Sequence, residues 1–128
     1  MPSSSVAVRS LAFAVAGLSA AVALAQTGPS APAVTVAFEP LSVEIAQASR
    51  GALDGLARSL AERGVRQIEL RGYAGGDDAG EARKLALARA LSVRSYLIDQ
   101  GVRARIEVNV SGQAARTAPR ERVDVLVP

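Results

Sequence analysis

In the second half of the chain, the spacing of apolar residues changes from every second residue to the spacing of a helix, and this change restricts the possible folds. Between residues 67 and 73 apolar and polar residues alternate, as expected for a half-buried strand. After the glycine-rich loop 75–78, apolar residues recur at helical spacing from about residue 79 to residue 100. Gly101 follows at the position where glycine commonly ends a helix. A strand followed directly by a long helix predicts a sheet covered by helices.

Four further segments complete the pattern. Residues 34–38 alternate like a strand, and Pro40 ends it. A first helix is predicted before Gly64, from apolar residues at helical spacing: Ile45, Leu53, Leu56, Ala57 and Leu60. Residues 102–110 and 122–127 are predicted as the last two strands. The predicted order is β-α-β-α-β-β, which indicates an α+β sandwich with the helices on one face of a small mixed sheet.

The first 25 residues have the pattern of an export signal. A short polar stretch containing Arg9 is followed by an apolar run over residues 11–24, and Ala23-Leu24-Ala25 has the small-x-small pattern of a cleavage site. We predict a signal peptide over residues 1–25, cleavage after Ala25, a flexible linker over 26–33 and a folded domain over 34–128. Cleavage would remove the single long apolar run and leave no integral membrane segment. An uncleaved anchor and a buried helix are the alternatives for the apolar run.

The composition argues against most classes of enzyme. The chain has no cysteine and no histidine, which excludes disulfides, thiolate metal sites, a cysteine nucleophile and the usual general base. Asp77, Asp78 and Glu81 lack the alternating spacing of a calcium loop, and no serine has a histidine to activate it. We therefore predict a non-catalytic protein with no metal and no cofactor. The 15 basic residues are dispersed among 12 acidic ones without interleaved aromatics, which argues against a nucleic-acid partner.

Several short motifs occur in a fixed order along the predicted domain. They are Leu70-Arg71-Gly72-Tyr73, Leu85-Ala86-Leu87-Ala88-Arg89-Ala90, Val93 with Tyr96-Leu97, Gly101-Val102 with Ile106, and Arg122-Val123-Asp124-Val125. This order resembles the OmpA-like (OmpA/MotB C-terminal) domain family. The family's helix reads Asn-x-x-Leu-Ser-x-x-Arg-Ala-x-x-Val-x-x-Tyr-Leu, and its closing strand reads Arg-Arg-Val-Glu. The resemblance covers about residues 34–127 and implies the fold of that family.

The resemblance also implies a function. It implies a periplasmic module, associated with the outer membrane, that binds peptidoglycan without a covalent bond. Such domains hold the carboxylate of diaminopimelate in the peptide stem with an arginine and its amine with an aspartate. A guanidinium suits a carboxylate because it offers two parallel donors, and a carboxylate suits an ammonium. Carried onto this sequence, the ligand-binding residues are Arg89 and, in the strand-end motif, Tyr73.

The aspartate of the family has no direct equivalent here. Its position falls at Gly75, while Asp77 and Asp78 lie just beyond it in the same loop. These two carboxylates are candidate substitutes, and we expect peptidoglycan binding to be weakened. In the alternative interpretation Asp78 only caps the long helix, and Arg89 pairs structurally with Asp77, Asp78 or Glu81.

The long helix presents two different apolar faces. The first is a seam of small and apolar residues expected to pack on the sheet: Ala86, Ala90, Val93 and Leu97. Leu87, Leu91 and Ile98 form a second face, here called the apolar stripe, roughly 110° away around the helix. Exposed contiguous apolar surface often marks an interface. The alternative function is therefore a protein-interaction domain of the envelope, pairing with a second copy or another protein, that has lost peptidoglycan binding. Coverage of the stripe by the first helix or by the linker is the structural alternative.

Overall fold

Two helices lie on one face of a four-stranded sheet. A computed structural model describes residues 31–128, so the predicted signal peptide and linker residues 26–30 lie outside the described residues. The elements are β1 (Val34–Ala37), α1 (Gln47–Arg63), β2 (Gln67–Tyr73), α2 (Ala79–Asp99), β3 (Arg105–Ser111) and β4 (Arg122–Leu126). Their order confirms the predicted β-α-β-α-β-β arrangement and the α+β class. Over residues 31–128 neither helix combines the length and apolar character needed to cross a membrane.

The strand order gives the sheet two distinct ends. The order is β1-β4-β2-β3, with β2 and β3 parallel and β4 antiparallel to both β1 and β2. A parallel pair needs a long crossover, and α2 supplies it between β2 and β3. The connections 38–46, 74–78 and 112–121 therefore meet at one end, which we call the loop end. The carboxyl ends of both helices meet at the opposite end.

Two predicted boundaries are wrong by more than one residue, each for a local reason. The first helix begins at Gln47 and not at Ile45, because the backbone before it is extended. Ile45 is nevertheless buried in the core. The third strand begins at Arg105 and not at Val102, because the Val102 N–H donates to the carbonyl of Leu97 and so closes the end of α2.

The predicted seam packs directly on the sheet. Its four residues are each 0% exposed: Ala86, Ala90, Val93 and Leu97. Gly72 of β2 lies beneath Ala86 and Ala90, and a Cβ at this position would be 2.5 Å from the carbonyl oxygen of Ala86. The absence of a side chain at Gly72 thus allows α2 to approach β2 closely. Residues 31–128 form one compact unit with a core of their own, so this part of the chain has what it needs to fold by itself.

The other face of the sheet is polar. Glu69 accepts hydrogen bonds from Nε of Arg71 at 2.8 Å and from Nδ2 of Asn109 at 2.7 Å. The Arg71 hydrogen bond is the main reason why the pKa of Glu69 lies below its ordinary value. Alternation of apolar and polar residues along β2 therefore separates a helix-covered face from a charged outer face.

Candidate ligand-binding site

Arg89 is the centre of the loop end. Its side chain is 0% exposed, although it is charged. Nε donates to the carbonyl of Ser42 at 2.8 Å, and Nη2 donates to the carbonyl of Glu39 at 3.0 Å. Nη1 donates to the carbonyl of Tyr73 at 3.2 Å and to Oε1 of Glu121 at 2.9 Å. Arg89 thus joins the β1–α1 connection, the end of β2 and the β3–β4 connection, and uses four of its five N–H donors.

One carboxylate neutralises this buried cation. The Glu121 side chain is 27% exposed, whereas that of Arg89 is fully covered. The Phe38 ring lies on another side of the guanidinium, with its centroid 5.3 Å from the Arg89 Cζ. A buried guanidinium is tolerated only when it is paired and hydrogen-bonded. Glu121 is therefore the part of this arrangement that solvent, or a ligand dissolved in it, reaches first.

The loop carboxylates do not pair with Arg89. Asp77 and Asp78 are exposed, and Oδ1 of Asp78 accepts the N–H of Glu81 at 3.0 Å, which confirms Asp78 as the cap of α2. The expected structural partner of Arg89 was Asp77, Asp78 or Glu81, and this is wrong: the partner is Glu121. Across residues 31–128 no three histidine, cysteine, aspartate or glutamate residues come together as a metal site would require.

Sequence reasoning missed Glu121, although a signal was present. Glu121 directly precedes Arg122-Val123-Asp124, the segment that resembles the family's closing motif. It stands where that motif has its first arginine, so the charge at this position is reversed. Only the fold shows that Glu121 pairs with Arg89, because the two residues are 32 positions apart in sequence.

Tyr73 contacts Arg89 through its backbone and not through its ring. The ring is half-buried beneath the guanidinium of Arg122, whose Cζ lies 5.3 Å from the ring centroid. It also lines a surface cavity of about 360 Å³, together with Gln113 and Arg116. The structure therefore places the ring of Tyr73 beside the Arg122 cation at the loop end.

The apolar stripe on α2 is open to solvent. Its residues are 41–44% exposed: Leu87, Leu91 and Ile98. Coverage of this stripe by the first helix, one of the alternatives considered above, is therefore wrong, and linker residues 26–30 lie outside the described residues. Leu91 also lines an open groove shared with Val43, which is itself 41% exposed.

A hydrogen bond between the two helices lies beside this groove. The hydroxyl of Tyr96 donates to Oδ1 of Asp54 at 2.7 Å and so links α2 to α1. This hydrogen bond is the main reason why the pKa of Tyr96 lies above its ordinary value. The apolar residues at the groove are thus presented on a surface that both helices hold in place.

The fold and the site define an α+β domain in which one buried arginine ties together the loops at one end of a mixed sheet. The sequence model of the OmpA family matches residues 37–123, and this chain belongs to that family. A search of curated protein sequences finds no match to the chain.

Solved structures of low sequence identity share the fold. The peptidoglycan-associated lipoprotein from Burkholderia pseudomallei has a TM-score of 0.66 at 22% identity, over 74% of this chain and 90% of that one. The OmpA-like domain of FopA1 from Francisella tularensis has a TM-score of 0.65 at 16% identity, over 73% and 69%. The C-terminal domain of Helicobacter pylori MotB has a TM-score of 0.61 at 20% identity, over 73% and 83%.

Proposed function

We propose that this chain is an exported, non-catalytic protein of the cell envelope that binds peptidoglycan at the loop end of its domain. The observation that supports this most is the position of Arg89. It occupies the arginine position of the family's helix motif and lies beneath a carboxylate that remains 27% exposed. A relative of the same fold is named a peptidoglycan-associated lipoprotein. The signal peptide over residues 1–25, the linker over 26–33 and a periplasmic, outer-membrane-associated location belong to the same proposal.

The chemistry of binding follows from the Arg89–Glu121 pair. A carboxylate of a peptide stem has the same charge and shape as the Glu121 carboxylate, so it would take the place of Glu121 against Nη1 of Arg89. Asp77 is exposed and makes no hydrogen bond within residues 31–128, which leaves it available for an ammonium group of the stem. Asp78 already caps α2 through one oxygen. Glu121 competes with the ligand, so we expect it to weaken binding.

Replacement of Glu121 by glutamine is expected to increase binding to purified sacculi about tenfold, which corresponds to about 1.4 kcal/mol. Glutamine keeps an oxygen that accepts from Arg89 but leaves this buried cation without its counter-charge, so circular dichroism must show that the variant is folded before its binding is interpreted. It removes the negative charge with which a stem carboxylate must compete. Cosedimentation of residues 26–128 with sacculi over a range of protein concentrations measures the change.

Glu62→Gln is the matched control for this experiment. It removes the same charge from an exposed position on α1, away from the loop end, and we expect it to leave binding unchanged. Asp77→Asn should lower the binding of the Glu121→Gln variant. Equal gains in the Glu121 and Glu62 variants, or no sedimentation of any variant, would contradict the proposal.

A second candidate function is self-association through the apolar stripe. The exposure of Leu87, Leu91 and Ile98, beside a groove that also exposes Val43, favours it. Leu91→Glu places a charge at the centre of the stripe and is expected to convert a dimer into a monomer, as measured by size exclusion with light scattering. Ala52→Glu adds the same charge at an exposed site on α1 and should leave the mass unchanged. A monomeric wild type would exclude self-association.

A further inference from the structure

The end of the domain opposite the loop end carries a cluster of exposed arginines. Arg63 lies in the last turn of α1, Arg66 directly precedes β2, Arg103 precedes β3, and Arg105 is the first residue of β3. The N–H of Arg105 donates to the carbonyl of Arg66 at 2.8 Å, so these two backbones are neighbours. We call this surface the arginine end.

The guanidinium groups of the arginine end are exposed and open to a partner. Within residues 31–128 none of the four arginines forms an ion pair. Side-chain carboxylates at the same end of the fold are Glu62 and Asp99 at the helix ends, and Glu107, which accepts a hydrogen bond from Gln67. Compensation of a helix dipole would account for Arg63, which lies at a helix carboxyl end, but not for Arg105 in a strand. The four guanidinium groups therefore have no ion-pair partner within residues 31–128 and are available to an anionic group.

A cavity of about 430 Å³ opens between two of these arginines. Arg66 and Arg103 line it and are exposed, whereas Leu60 on its inner side is buried. Val65 and Val102 line it as well and are half-buried. A cationic rim over an apolar floor suits a ligand with an anionic group beside an apolar one, as in a phospholipid at a membrane surface.

The N-terminal segment of the domain lies at the same end as the arginines. The Ala33 N–H donates to the carbonyl of Val125 at 2.8 Å, and β1 runs parallel to β2, so the N-terminal segment joins the domain at the arginine end. The predicted linker over 26–33 therefore leaves the domain on the side of the arginines. Cleavage after Ala25 would add an α-ammonium group five residues before Ala31.

We propose that the arginine end docks on an anionic phospholipid membrane, with Arg66 and Arg103 binding lipid phosphates. The loop end then faces away from the membrane, since α2, with its 21 residues, separates the two ends by about 30 Å. This proposal does not depend on peptidoglycan binding, because a different end of the domain is involved.

Vesicle cosedimentation tests the proposal in the absence of peptidoglycan. Residues 26–128 are mixed at low salt with vesicles of phosphatidylglycerol and phosphatidylcholine, or of phosphatidylcholine alone. A basic residue near an anionic surface contributes about fivefold in affinity, so Arg66→Gln with Arg103→Gln should weaken binding about 25-fold. Arg83→Gln with Arg116→Gln removes the same charge from exposed positions at the loop end and should weaken binding at most a few-fold. Circular dichroism confirms that both variants remain folded.

The other outcomes would overturn the proposal. Equal losses in the two double variants would show that only net charge matters, and equal binding to phosphatidylcholine would show that the anionic lipid is not recognised. Binding to single-stranded DNA or to a soluble acidic peptide, with none to either vesicle, would assign the arginine end to a different partner.

Discussion

Replacing Arg89 with alanine is expected to lower the free energy of unfolding by about 3–5 kcal/mol, the usual cost of removing one partner of a buried ion pair. The variant removes the Arg89 donor from the carbonyls of Glu39, Ser42 and Tyr73 and leaves Glu121 without its cation. Small domains have a total stability of only about 5–15 kcal/mol, so this loss is a large fraction of it. Urea denaturation followed by circular dichroism measures the change.

Arg83→Ala is the control on the same helix. Arg83 is exposed and forms no ion pair within residues 31–128, so its removal should change the stability by no more than about 0.5 kcal/mol. Arg89→Lys should fall between the two, because one ammonium group cannot reach acceptors on three separate segments. Equal urea midpoints for Arg89→Ala and Arg83→Ala would show that Arg89 does not hold the three segments of the loop end together. Folding of any Arg89 variant must be verified before its binding to sacculi is interpreted.

Replacing Gly72 with alanine is expected to destabilise the domain by about 3 kcal/mol. The new Cβ would lie 2.5 Å from the carbonyl oxygen of Ala86, and a backbone atom cannot move away as a flexible side chain can. The helix must therefore lift from β2, which loosens the packing of the whole seam. Thermal and urea denaturation measure the loss.

Gly51→Ala is the same chemical change in α1, and we expect it to stabilise the domain. Gly51 lies in α1, and no atom lies within 4 Å of a Cβ built there. Alanine has the higher helix propensity, so this variant should gain about 0.5–1 kcal/mol. A destabilisation of both variants by similar amounts would argue against a close approach at Gly72.

The elements of the fold were predictable because their signals are local. The alternation over residues 67–73 matches β2 at both ends, and the helical period with its Asp78 cap locates α2 to within one residue. The seam of α2 was also predicted, since residues that share a helix face bury together. The start of β3 was not predicted, because Val102 is apolar in either state and a backbone hydrogen bond to Leu97 decides its role.

The site was only half predictable, because it depends on distant contacts. The helix motif singled out Arg89, but periodicity carries no information about a partner 32 residues away. Tyr73 was named for its motif, and only the fold shows that its carbonyl contacts Arg89 while its ring lies under Arg122. Asp77 and Asp78 were close in sequence to the missing aspartate, yet Asp78 is used as a helix cap.

The order of strands and helices, the family and the faces of α2 could be predicted, because each depends on neighbours a few residues apart. The tertiary structure alone decided which charges meet. It paired Arg89 with Glu121, and it gathered at one end arginines that are dispersed along the chain, from Arg63 to Arg105. The physical reason is that electrostatic interaction depends on distance in space, and the parallel crossover through α2 brings together residues about 40 positions apart.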